Sequence, residues 1–259
     1  MRRPLALLLA WSSASPLASR AVAQTIAQRI AAAERPVQVI YPSRPTACGD
    51  GRSYIGQVFG DRPGDQTGSR IGDGWSRTPC IHGPARVVAT VMGGEVTRLR
   101  AYVGPVPSTT DAETINASAQ DAAAWLGSLI SRDNSRVASS AILPLILADA
   151  PDPWPLLLRV ARDAERSQSV RRESLFWIGN GAVARLGLEE SRDESPDDEM
   201  RSQAVFVLSQ RPKSESVPAL IDVVRTSSHA SARRSAIFWL GQSGDPRAAD
   251  VFAELLGLR

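Results

Sequence analysis

The stretch Ala232-Arg-Arg-Ser-Ala-Ile-Phe-Trp-Leu-Gly241 decides the reading, because the chain carries versions of it four times. The others are Val170-Arg-Arg-Glu-Ser-Leu-Phe-Trp-Ile-Gly179, Met200-Arg-Ser-Gln-Ala-Val-Phe-Val-Leu-Ser209 and Val137-Ala-Ser-Ser-Ala-Ile-Leu-Pro-Leu145. Their first residues are 33, 30 and 32 apart, a period that signals stacked helical repeats. The fifth position is always small (Ala141, Ser174, Ala204, Ala236), and an aliphatic residue follows it (Ile142, Leu175, Val205, Ile237). Small residues let helices approach and large ones fill the layers between them. Ala204 and Ala236 are therefore expected at buried helix contacts.

A second helical pattern follows most of these stretches. Asp245-Pro246 reads as a cap with proline at the first helical position, before the stripe Ala248, Val251, Phe252, Leu255, Leu256. Ser216 to Val224 and Asp152 to Ala161 read the same way, whereas after the second repeat Ala182 to Leu188 is degenerate and runs into an acidic loop, Glu189 to Glu199. Upstream, Ala122, Trp125, Leu126, Leu129 and Ile130 form one apolar helical stripe, a capping helix in a pattern that begins at Asp111.

The Arg-Arg-x-small-aliphatic-Phe-Trp core, closed by Gly241-Gln-Ser-Gly-Asp-Pro-Arg247, resembles bacterial HEAT repeats and phycobilin-lyase-type HEAT-like repeats over residues 135 to 259. That resemblance implies helix pairs stacked into a curved α-solenoid whose second helices line a concave, protein-binding side. It also implies that the second-position arginines Arg171, Arg201 and Arg233 pair with a neighbouring repeat. Arg159, Arg162, Arg185, Arg225 and Arg247 lie on or beside the second helices, flanking their apolar stripes. They are the candidate protein-binding residues, either gathered for an acidic protein segment or paired internally with Asp163, Asp222 and Asp250.

Residues 36–106 read as a small β domain. Val37 to Tyr41 is a strand stopped by Pro42, and Ser53 to Phe59 is a second candidate. The clearest signal is Arg86 to Met92, Gly93-Gly94, then Glu95 to Val103, a hairpin turning on two glycines. Val96, Leu99 and Tyr102 do not alternate strictly, which suggests a bulge.

Residues 1–23 read as a signal peptide: Arg2-Arg3, an apolar run from Leu5 to Trp11, and Ala21-Val22-Ala23 before Gln24. Cleavage near Ala23 leads to a periplasmic or secreted protein. In that setting the only two cysteines, Cys48 and Cys80, are most simply a disulfide worth about 3.5 kcal/mol by loop entropy. Cys80-Ile-His82 supplies too few ligands for a metal site. The formal charge of +3 comes from Arg2, Arg3 and Arg20 in the leader, so nucleic acid is not an expected partner. No later segment reads as a membrane span.

The fold expected is α+β in two domains, a disulfide-bonded β domain followed at 111–259 by an all-α solenoid with a capping helix and four HEAT-like repeats. His82 and His229 sit in no catalytic or zinc-binding spacing, and there is no phosphate loop or nucleophile elbow. Phe176-Trp177 and Phe238-Trp239 are read as core, and the acidic run as a solvated loop. The expected function is a non-catalytic scaffold or adaptor without cofactor, binding a protein partner. A structural envelope protein without a discrete ligand, and an enzyme built on the β domain, are the alternatives.

Overall fold

The computed structural model describes residues 25–52, 69–70, 75–76, 81–132, 135–188 and 195–258. The leader, Cys80, the candidate strand at 53–59 and the acidic stretch at 189–194 lie outside the described residues.

The chain opens with a short helix, α1 (Ile26–Ala31), started by a capping box between Thr25 and Gln28. Four strands then make the main sheet: β1 (Val37–Tyr41), β6 (Ala85–Met92), β7 (Glu95–Val103) and β8 (Glu113–Asn116), in the order β7-β6-β1-β8. Two short pairs lie outside it, β2 (Cys48–Gly49) with β5 (Ile81–His82) and β3 (Ser69–Arg70) with β4 (Trp75–Ser76). The β6–β7 hairpin turns on Gly93 and Gly94 at φ 60° and 78°, as the sequence predicts. Its bulge falls at Thr97, where the register steps from Thr90↔Arg98 to Val91↔Val96. That extra residue lets Val96 and Leu99, three apart, both face the core.

One expectation fails here. The helical pattern placed from Asp111 starts only at α2 (Ala119–Ile130), capped by Ser118. Glu113–Asn116 instead runs parallel to β1 as an edge strand, so the sheet extends beyond residue 106. Once formed, α2 buries Ala122, Trp125, Leu126, Leu129 and Ile130, the stripe read from the sequence.

The remaining helices are α3 (Ser135–Leu147), α4 (Trp154–Arg162), α5 (Gln168–Arg185), α6 (Pro196–Ser209), α7 (Lys213–Thr226), α8 (Ala230–Ser243) and α9 (Arg247–Leu255). β6 and β7 lie against α3, and one cluster of buried side chains continues from the sheet into the helices. Tyr41 crosses this junction. Its buried hydroxyl donates to the Pro144 carbonyl at 2.8 Å, and burial raises its pKa.

The order of the helices in space differs from their order in the chain. α6 and α8 run parallel at a constant step: Ser231 donates to Asp198, Ser235 donates to the Ser202 carbonyl, and Trp239 packs on Phe206. These two are true stacked repeats. α5 takes the opposite face of α8 and runs antiparallel to it. Arg172 lies against Gly244, Phe176 against Gly241, Gly179 against Ile237, and Arg234 donates to the Leu188 carbonyl. The four aligned stretches therefore do not form one unidirectional solenoid. The physical cause is the degenerate second repeat, in which α5 continues for 18 residues and no partner helix follows it through Leu188. α9 fills that place and packs on α5, α4 and α7.

Candidate functional site

The described helices offer two surfaces and the sheet one cleft. The first surface is the layer of α4, α9 and α7, where the sequence places the candidate arginines. All five are exposed. Arg162 on α4 meets Asp250 of α9 at 2.8 Å, Arg225 on α7 meets Glu254 of α9 at 3.0 Å, and Arg247 meets Asp245 at 2.9 Å. Asp245 in turn accepts the Arg247 amide and so caps α9, and the Arg247 guanidinium holds its carboxyl below the usual carboxylate range. The acids of α9 thus sit between the arginines of its neighbours. Of the internal partners expected from sequence, Asp250 is used, whereas Glu254 and Asp245 take the places given to Asp222 and Asp163. Arg159 also lies on α4, whereas Arg185 ends α5, outside this layer and near Gly257.

The second-position arginines have a structural task that recurs. The Arg171 Nε donates to the Ala161 carbonyl at the end of α4, and the Arg233 Nε donates to the Val224 carbonyl at the end of α7. Each caps the carbonyl end of the preceding helix, where the helix dipole favours a cation. Arg201 instead pairs with Asp198 in its own first turn.

The second surface is aromatic. Phe176 meets Trp177 at 5.2 Å between ring centroids, Phe176 meets Phe238 at 6.1 Å, Phe238 meets Trp239 at 5.0 Å and Trp239 meets Phe206 at 5.1 Å. Five rings make a continuous ladder across α5, α8 and α6. The reading of the two Phe-Trp pairs as core holds for Trp177, which is buried, but Phe176 and Trp239 are half-buried and Phe238 is 42% exposed. The antiparallel crossing of α5 on α8 brings Phe176 onto Phe238. Equivalent repeat positions in a parallel stack would not show this, so periodicity alone could not find the ladder.

The cleft, about 650 Å³, opens at the carboxyl ends of the parallel strands β1 and β8, lined by Ile40, Tyr41, Ser43, Arg44, His82 and Asn116 among others. The Arg44 guanidinium is occupied by the Ile146 and Ala150 carbonyls and by Asp152. The His82 Nδ1 is 3.2 Å from the Ala47 carbonyl oxygen. Cys48 pairs in register with His82 across β2 and β5 and is not free, while Cys80 lies outside the described residues. Among the described residues no group of three or more His, Cys, Asp or Glu is placed to hold a metal ion, and no helix is long and apolar enough to cross a membrane.

The regular step between α6 and α8 falls within the part of the chain that has a family match. Residues 187–258 match the family of HEAT repeats. The matched segment therefore spans α6 to α9, of which α6 and α8 stack in parallel, and α5 packs onto α8 from the other side. No curated protein and no solved structure matches the chain. HEAT repeats commonly serve as protein-interaction scaffolds, consistent with a non-catalytic adaptor.

Proposed function

We propose that the chain is an exported, non-catalytic adaptor of the bacterial HEAT-repeat type that binds a protein partner through the aromatic ladder of α5, α8 and α6. The observation that carries this reading is the exposed Phe238 ring at the centre of that ladder. Rigid aromatic side chains with one face in water and neighbours fixing their rotamers are the usual anchors of protein interfaces, with little entropy left to lose on binding. The arginine layer plays a secondary part. Its ion pairs are exposed and worth at most about 1 kcal/mol each, so an acidic segment could exchange with Asp250 and Glu254 at small cost.

The test is affinity capture from an envelope extract with the mature protein. A stoichiometric partner is expected, lost by at least roughly tenfold in affinity with Phe238→Ser. The triple replacement Arg159→Ala, Arg162→Ala, Arg225→Ala is expected to flatten the salt dependence with a smaller loss. Absence of any stoichiometric partner would favour a purely structural envelope role instead.

Export and the Cys48–Cys80 bridge belong to the same proposal. Both are supported by the leader-like residues 1–23 and by the pairing of Cys48 with His82, two residues from Cys80 in sequence. The intact mass of the native protein under non-reducing conditions is expected to start at Gln24 and to be lighter by two hydrogens than after reduction. A retained Met1, or two cysteines that label with a thiol reagent, contradicts this part.

A further inference from the structure

α6 is the outermost helix of its layer. Its inner face, carrying Asp198, Ser202 and Phe206, meets α8. At 100° per residue, Met200, Ala204 and Val207 lie on the opposite side of the helix. Met200 is 70% and Val207 58% exposed, and Ala204, expected at a buried contact, is exposed as well. Asp197 lies on this stripe in the first turn, and Arg211 follows just past the C-terminal end of the helix, both exposed.

On its other side α8 is covered by the antiparallel helix α5, where the fully buried Ile237 lies against Gly179. The outer face of α6 is bare among the described residues.

We propose that a second copy of this chain fills it, with α6 packing antiparallel on α6 of the partner about a twofold axis through Ala204. The charge pattern of the stripe selects this occupant. Asp197 and Arg211 are equidistant in sequence from Ala204, so a twofold axis there sets each carboxylate opposite the other copy's guanidinium. Among the described residues Asp197 has only a long approach of 3.8 Å to Arg201. The small Ala204 at the axis lets the helices come close, and Met200 of each copy falls beside Val207 of the other. A contact of one helix per copy is small beside the ~1,600 Å² of a standard interface, so the association is weak and concentration-dependent.

Sedimentation of the mature protein from the micromolar range up to about 1 mM is expected to show a reversible monomer–dimer equilibrium that salt weakens. Val207→Asp, a change at an exposed site with an unchanged circular-dichroism melt, should leave only monomer. Asp197→Arg and Arg211→Asp should each weaken the dimer roughly tenfold, since every reversal acts at both symmetric contacts, and the two combined should restore it. That rescue separates the twofold pairing from non-specific apolar contact. A protein that stays monomeric throughout, a dimer indifferent to Val207→Asp, or a double reversal no better than the single ones overturns the proposal. None of these results depends on the partner sought through Phe238.

Discussion

Phe252→Ala is expected to destabilise the protein by about 3–5 kcal/mol, the usual cost of emptying a buried aromatic site. Phe252 is fully buried, and its ring reaches under α5, where a side-chain carbon on Gly179 would come within 3.2 Å of its Cζ. It is the central apolar contact of α9 with the helix that lacks its own partner. The ion pairs to either side, Arg162 with Asp250 and Arg225 with Glu254, are exposed and contribute little, so they cannot compensate. Urea denaturation followed by circular dichroism measures the effect. A loss under about 1 kcal/mol would mean that α9 is not seated between α4 and α7. Phe238→Ala serves as the contrast, because its partly exposed ring leaves no closed cavity behind.

The second large effect is expected at Gly104. Its φ of 111° lies where L side chains are strained, and a Cβ there would meet the backbone of the β2 loop, 2.9 Å from the Gly49 carbonyl carbon and 3.0 Å from the Gly51 amide. The Gly51 amide donates to the Val103 carbonyl at 2.8 Å, and the Gly51 carbonyl accepts from the buried Arg86 guanidinium at 2.8 Å. That guanidinium also lies 4.3 Å over the Tyr102 ring, and burial lowers its pKa. Gly104→Ala combines backbone strain with overlap against a hydrogen-bonded segment and should cost about 3 kcal/mol. A melt within a degree or two of wild type would show that the loop at Gly49 can move aside freely.

Local chemistry was legible in the sequence wherever neighbours in space are neighbours in the chain. Gly93-Gly94 announced its hairpin, and the broken alternation at Val96 and Leu99 announced the bulge. The apolar stripes of α2 and α9 appear on the helices where they were read. What was not legible depends on partners far away in the chain. Glu113–Asn116 is too short to declare itself a strand without β1 beside it. The repeat pattern states which face of a helix is apolar but not the direction of the helix that will cover it, so α5 running against α8 could not be foreseen. For the same reason Ala204 and Ala236 look alike in sequence, yet one is exposed and the other buried. Asp250 was among the expected partners of the arginines, whereas Glu254 escaped because it reaches α7 only once α9 has been inserted between α4 and α7.

That insertion has a consequence for the timing of folding. Among the described residues, the helices packed on α9 (α4, α5 and α7) all precede it in the chain, and translation delivers them first. Until α9 is made, the groove between α4 and α7 exposes the side of α5 around Gly179, so a nascent chain holds an unfinished core that a trailing segment must close. Protease sensitivity of stalled chains should therefore fall abruptly when the stall point moves past Phe252, rather than helix by helix.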